Sequence, residues 1–156
     1  WTLNRAVNFL DGGAHFYYTY HTNEGRSLSL GKLEPQFYAE LLRLAEQDAE
    51  AFADQNNPSS WRQAKAKLAA VFKTKTRDEW CALLEGTDAC FAPVLDIVEA
   101  PLHPHNAARQ TYIEIDGLVQ PAPAPRFSRT VSEVSRGASL EGADTEAVIA
   151  EWLSPR

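Results

Sequence analysis

Methionine is absent from the 156 residues and cysteine occurs only twice, at Cys81 and Cys90. A chain that opens on Trp1 with no methionine is read as starting downstream of a translation start, and neither a basic-then-apolar signal pattern nor a transit-peptide composition occurs in it. The two cysteines show neither Cys-x-x-Cys nor zinc spacing, so buried free thiols are expected rather than a disulfide. That usage suits a reducing compartment, the cytoplasm if the source is bacterial. Long apolar runs are also missing: none approaches the roughly 18–20 residues that a bilayer crossing requires, so no membrane partner is expected. An excess of basic residues is lacking as well. With 15 Lys and Arg against 21 Asp and Glu, the net charge of −6 argues against nucleic acid, whose phosphates are held mainly by cations. A small anionic ligand stays compatible with this average, because a few local donors suffice to hold it. No Walker loop, dinucleotide fingerprint, nucleophile elbow or His-Glu-x-x-His is found, nor any internal repeat.

What is present points to a folded globular chain: 44% hydrophobic residues and four tryptophans. The length supports one core with a trailing arm and is too short for two full domains. Residues 15–21 are dense in aromatics and threonine, and Leu28 and Leu30 share one face of the segment from Arg26 to Leu33. With Asn23-Glu24-Gly25 between them, a β-hairpin is predicted. The period changes at Pro35, where a helix is predicted immediately after Glu34, carrying Phe37, Leu41, Leu44 and Ala45. Ser60-Trp61-Arg62-Gln63 reads as a capping box opening a second helix with Trp61, Leu68, Val71 and Phe72 as its buried stripe. Thr76-Arg77-Asp78-Glu79 repeats the device for a shorter helix with Trp80, Leu83 and Leu84, ended by Gly86. Pro93 makes the apolar run from Ala89 to Leu95 an edge strand, and another strand is predicted over Thr111–Asp116. Beyond Leu118, Pro121, Pro123 and Pro125 alternate with small residues and predict an extended arm. The chain ends in an amphipathic helix over Thr145–Leu153 whose face of Val148, Ile149 and Trp152 must dock on something. The fold class expected is α/β, more narrowly an α+β small domain.

Two motifs carry the chemistry: Leu10-Asp11-Gly12-Gly13-Ala14-His15-Phe16-Tyr17, and Gly31-Lys32-Leu33-Glu34-Pro35-Gln36-Phe37-Tyr38. Glu34, just ahead of a helix starting at Pro35, lies where the helix dipole favours a carboxylate, and the paired glycines allow backbone conformations closed to other residues. Together the motifs resemble the racemase branch of the family III CoA-transferases (CaiB/BaiF-like), the 2-methylacyl-CoA racemases. Thr87-Asp88-Ala89-Cys90, Pro93-Val94-Leu95 and Pro123-Ala124-Pro125-Arg126-Phe127-Ser128 extend the resemblance over nearly the whole chain.

The resemblance implies isomerisation at the carbon beside a thioester carbonyl: the α-proton leaves one face, an enolate-like intermediate forms, and a proton returns on the other face. A histidine paired with Glu34 serves one side and an aspartate the other. Groups on opposite faces of a planar intermediate are what such a reaction needs. The resemblance makes Glu34 catalytic and assigns Leu10, Tyr17 and Leu33 to the walls of an acyl pocket, with Asp11, Gly12 and Gly13 letting the chain pass beside the ligand. Apolar walls suit an aliphatic acyl chain. No cofactor is implied, coenzyme A being part of the thioester substrate, and no metal. The catalytic histidine and aspartate belong to an amino-terminal Rossmann-like large domain that the motifs here do not match. Residues 1–14 then form a linker, 15–118 the small domain, and 119–156 a return arm and helix. An interlocked homodimer, with each site built between two subunits, is implied, and the chain alone is expected to be inactive. Glu34 speaks against the alternative of a CoA-transferase of the same superfamily, whose small domain carries a glycine-rich loop instead. A noncatalytic interaction module is the other alternative. His15 is read as a hairpin-entry residue rather than a base, and His103 and His105 as a loop or helix entry rather than metal ligands.

Overall fold

Period-two alternation sets the first sheet. β1 (Tyr17–His21) pairs antiparallel with β2 (Ser27–Gly31), Tyr17 opposite Gly31 and His21 opposite Ser27, around the turn expected at Asn23-Glu24-Gly25. Gly25 takes φ +83° there, a left-handed value that suits glycine. Tyr20, Leu28 and Leu30 are buried on one face, while the Thr19 and Ser29 hydroxyls meet at 3.0 Å on the other. β3 (Phe91–Val94) joins β2, giving the order β1-β2-β3 and placing Pro93 on an edge strand as expected. The computed structural model describes residues 2–154.

Three helices cover the sequence between β2 and β3. α1 (Pro35–Leu44) starts at its proline, whose fixed φ suits the first helical position, and buries Tyr38, Leu41 and Leu42, with Ala45 following. α2 (Trp61–Phe72) buries Trp61, Ala64, Leu68 and Phe72. Its expected capping box does not form. The Ser60 hydroxyl donates instead to the Asp54 and Asn57 carbonyls, at 2.9 and 2.8 Å, because Ser60 ends a turn that begins at Asn57 and has helical backbone angles itself. α3 (Arg77–Leu84) has the box that α2 lacks: Thr76 Oγ1 accepts from the Glu79 N–H while Glu79 Oε2 accepts from the Thr76 N–H. Gly86, at φ +75°, lies just past the helix end. The Trp61 and Trp80 indole N–H groups donate to the Gln55 and Phe72 carbonyls at 2.8 and 3.0 Å, so both large rings are buried with their polar atoms satisfied.

The chain divides into two compact units between Leu95 and Asp96. The second holds α4 (Glu99–Leu102), α5 (Pro104–Ala108), the hairpin of β4 (Tyr112–Ile115) and β5 (Leu118–Pro121), and α6 (Thr145–Leu153). His103 precedes Pro104 at the entry to α5, the helix-entry placement expected of it. Asp116 and Gly117 both take positive φ, the primed turn that matches the twist of paired strands. The segment past Leu118 therefore begins as a strand, not as an arm. Val148 and Ile149 of α6 are half-exposed and Trp152 is 85% exposed, so the apolar face predicted for this helix is open.

Cys81 and Cys90 are free, as expected, but not buried: Cys81 is half-buried and Cys90 exposed. Cys90 escapes burial because the chain enters the edge strand β3 there with φ +42°. Burial pushes the Cys81 thiol up to about 11. No helix among the described residues is long and apolar enough to cross a membrane.

Candidate functional site

The Leu10–Tyr17 motif is a turn held from within. Asp11 accepts from the Asn8 backbone N–H at 2.8 Å, the Asn8 side-chain amide at 2.8 Å and the Gly13 N–H at 3.0 Å. These hydrogen bonds, that from the Asn8 side chain foremost, hold the Asp11 carboxyl down at about 2. The two glycines serve different ends. Gly12 takes φ +85°, whereas a Cβ on Gly13 would lie 2.5 Å from the Asn8 carbonyl oxygen and 2.6 Å from the Val7 carbonyl carbon. Backbone atoms cannot rotate aside as a side chain would. Gly13→Ala should therefore lower stability by about 1–3 kcal/mol, the usual cost of overpacking, read as a shift of the urea midpoint; an unshifted midpoint would remove the close approach from the account.

The two motifs are tied together by a buried contact. His15, 1% exposed, has Nε2 2.8 Å from the Tyr38 hydroxyl, and the Phe16 carbonyl accepts from the Lys32 N–H at 3.0 Å. Burial pushes His15 down to about 4, so it is neutral at pH 7 and structural, as its place at the hairpin entry suggests. Glu34 is the residue ahead of α1, with extended backbone, an exposed side chain and no capping hydrogen bond of its own. Its backbone carbonyl accepts from the Tyr38 N–H at 3.1 Å. The junction before it is secured by Gln55, whose amide donates to the Lys32 and Leu33 carbonyls, each at 3.3 Å. Glu34 thus presents a free carboxylate from a fixed backbone.

An open groove of about 800 Å³ lies on the face of the β1-β2-β3 sheet opposite the core, and Leu10, Gly12 and Tyr17 line it with Gly31, Cys90 and Phe91. Of the residues singled out from sequence, these three are brought together. Asp11 and Gly13 shape the turn below the groove without lining it, and Leu33 and Glu34 lie outside it, Leu33 being 41% exposed. Among the described residues no group of three or more His, Cys, Asp or Glu is placed to hold a metal ion.

The family model for CoA-transferase family III matches residues 3–145. The chain belongs to that family. Mouse alpha-methylacyl-CoA racemase is 44% identical over 156 residues, which is 97% of this chain and 40% of the mouse protein. The human protein of the same name is 38% identical over 154 residues, again 97% of this chain and 40% of its own length. The chain thus spans about two fifths of the curated relatives it matches. Among solved structures, Rv3272 from Mycobacterium tuberculosis superposes with a TM-score of 0.65 at 16% identity, covering 80% of this chain and 36% of that one, a likeness of fold. The architecture is the α+β arrangement expected.

Two lysines of this family III chain escaped the sequence reading. Lys65 of α2 donates to the Gly12 carbonyl at 2.5 Å and sits 4.2 Å from the centre of the Tyr18 ring, clamping the glycine turn from the helix side. Its place in α2 offered no signal, since a lysine on an amphipathic helix ordinarily reads as solvated. Lys32 is entirely buried, and among the described residues its Nζ has no hydrogen-bond partner. Burial is the cause that pulls its ammonium down to about 7, the thiolate form of Cys90 acting in the opposite sense. Lys32 sits in β2's continuation toward Glu34, where strand alternation alone would have put it on the same face as Leu28 and Leu30. That was the available signal.

Proposed function

We propose that this chain supplies the small-domain half of an active site that interconverts (2R)- and (2S)-2-methylacyl-CoA thioesters. The observation that carries the reading is the motif Leu33-Glu34-Pro35-Gln36-Phe37-Tyr38 in a chain 44% identical to a protein named alpha-methylacyl-CoA racemase, with Glu34 projecting from the start of α1. An exposed carboxylate on a rigid base suits pairing with a histidine from elsewhere in the full-length protein, holding that imidazole in the orientation and charge state needed to move the α-proton. The acyl chain lies along Leu10 and Tyr17, with Leu33 as a further wall of the acyl pocket, and the glycine turn gives the thioester close access to backbone. The second acid-base group, an aspartate on the opposite face, comes from the large domain, and two full-length subunits interlock so that each site joins parts of both. The return arm and α6 dock on the large domain.

Deuterium incorporation at the α-carbon of a 2-methylacyl-CoA in D2O tests this directly. The full-length protein is expected to exchange that proton, and the present chain alone to leave it untouched. A full-length protein that binds CoA yet exchanges nothing, while moving CoA between acids, would replace the racemase reading with CoA transfer. Turnover by the present chain alone would overturn the division of the site between domains.

A further inference from the structure

Tyr18, Thr19, Tyr20 and His21 all line one groove of about 380 Å³, with α2 as its opposite wall. Side chains along a strand alternate between faces, so four consecutive residues share a groove only where the edge of the strand forms its wall. β1 is an edge strand, first in the order β1-β2-β3. In an antiparallel pair, residues that bond the neighbouring strand alternate with residues whose N–H and C=O point away from it. The Phe16 carbonyl accepts from the Lys32 N–H, and the Thr22 N–H donates to the Arg26 carbonyl, so it is Tyr18 and Tyr20 within β1 that bond to β2. The N–H and C=O of Thr19 and His21 therefore point outward to the groove, and among the described residues nothing bonds to them there.

The helical wall sets the chemistry. α2 runs alongside β1 in the same sense: Lys65 sits 4.2 Å from the centre of the Tyr18 ring, and further along both elements the Phe72 and Tyr20 rings lie 5.1 Å apart. Arg62, Lys65 and Lys73 all line the groove, and no acidic residue does. Ala66 and Ala69 keep the wall low between the cations. Lys65 is held by the Gly12 carbonyl, but Arg62 and Lys73 are exposed and, among the described residues, have no ion-pair or hydrogen-bond partner. In a chain of net charge −6 these cations make a local field of the opposite sign.

We propose that the groove between β1 and α2 receives an extended acidic segment of a partner protein, which adds a strand at the β1 edge and turns its acidic side chains towards Arg62, Lys65 and Lys73. Main-chain hydrogen bonds to Thr19 and His21 supply the affinity, and the cations select the sequence. A segment of alternating acidic and polar residues fits, since every second side chain of an added strand faces α2.

The probe is the peptide acetyl-Thr-Glu-Thr-Glu-Thr-Glu-Thr-amide, titrated into the present chain while amide hydrogen exchange is followed residue by residue. At roughly 90% occupancy, exchange at the Thr19 and His21 N–H groups should slow about ten-fold, because a paired amide exchanges only from the unbound fraction. A fully N-methylated version, which keeps the charges but cannot donate to a strand, should leave both rates unchanged, as should a version with lysine in place of glutamate. Arg62→Glu combined with Lys73→Glu should weaken binding about ten-fold, attraction becoming repulsion at two exposed sites, with little movement of the urea midpoint. Slowing by either control peptide, or undiminished binding by the double variant, would overturn the proposal. No slowing by the glutamate peptide at millimolar concentration would overturn it too, leaving the cations as guards that keep a bare strand edge from pairing. Thr19 and His21 amides already protected in the full-length protein without peptide would mean that its own large domain or a second copy covers the edge, and would overturn the partner segment.

Discussion

Glu34→Gln in the full-length protein should slow α-deuterium incorporation into a 2-methylacyl-CoA by about 10²–10⁴-fold, the range that a positioned acid-base group commonly supplies. Glutamine keeps the size and one carbonyl oxygen of glutamate but cannot carry the charge that a histidine partner would need. The fold offers little reason for stability to change. Glu34 is exposed, makes no capping hydrogen bond, and contributes to α1 through its backbone carbonyl, which the substitution leaves in place. The urea midpoint of the present chain carrying Glu34→Gln should therefore agree with that of the parent to within about 0.5 kcal/mol. A small loss of exchange, less than about ten-fold, would remove Glu34 from the proton-transfer machinery. A large loss of stability would mean that the carboxylate holds the helix start rather than the chemistry.

Lys32→Met is expected to stabilise the chain on the order of 3–4 kcal/mol at pH 7, with the gain fading as the pH rises. The buried ammonium has its folded pKa drawn down from 10.5 to about 7, so between those values the unfolded chain binds more protons than the folded one. Stability thus climbs as pH rises from about 7 towards 10.5, and the full penalty of burying the charge is felt below about 7. Methionine has a similar length, no charge to desolvate and a flexible stem that fills the same space. Urea unfolding of both proteins from pH 6 to pH 10 checks the claim. Curves separated by a constant amount, or a destabilised variant, would contradict it. His15 acts in the same sense in a lower window: with its folded pKa depressed to about 4, it costs stability as pH falls from 6.5 towards 4 in both proteins, leaving their difference unaffected.

Elements governed by local chemistry were the legible ones. The start of α1 at Pro35, the capping box at Thr76, the edge position of Pro93 and the span Thr145–Leu153 of α6 each follow from a proline, a cap or a period that acts within a few residues. Ser60 shows where such reasoning stops. Its hydroxyl had two acceptors available in the turn behind it, and a pattern of residue types cannot say which acceptor will be nearer. β5 was missed because its strand ends at Pro121, in the stretch whose prolines read as an arm. The site was legible in part for the same reason. The motifs named Leu10, Gly12 and Tyr17, which share a groove, but the hold of Lys65 on Gly12 and the burial of Lys32 depend on residues brought together by packing across tens of positions.

The tryptophans give the chain two separate optical channels. Trp61 and Trp80 are 4% and 1% exposed with their indole N–H groups bonded to backbone carbonyls, whereas Trp152 on α6 is 85% exposed. In a chain carrying Trp1→Phe, iodide reaches only the last of these from solvent, so its quenching reads the surroundings of α6 while the unquenched, blue-shifted emission reads the folded core. Anything that covers the open face of α6 would silence the first signal and leave the second unchanged.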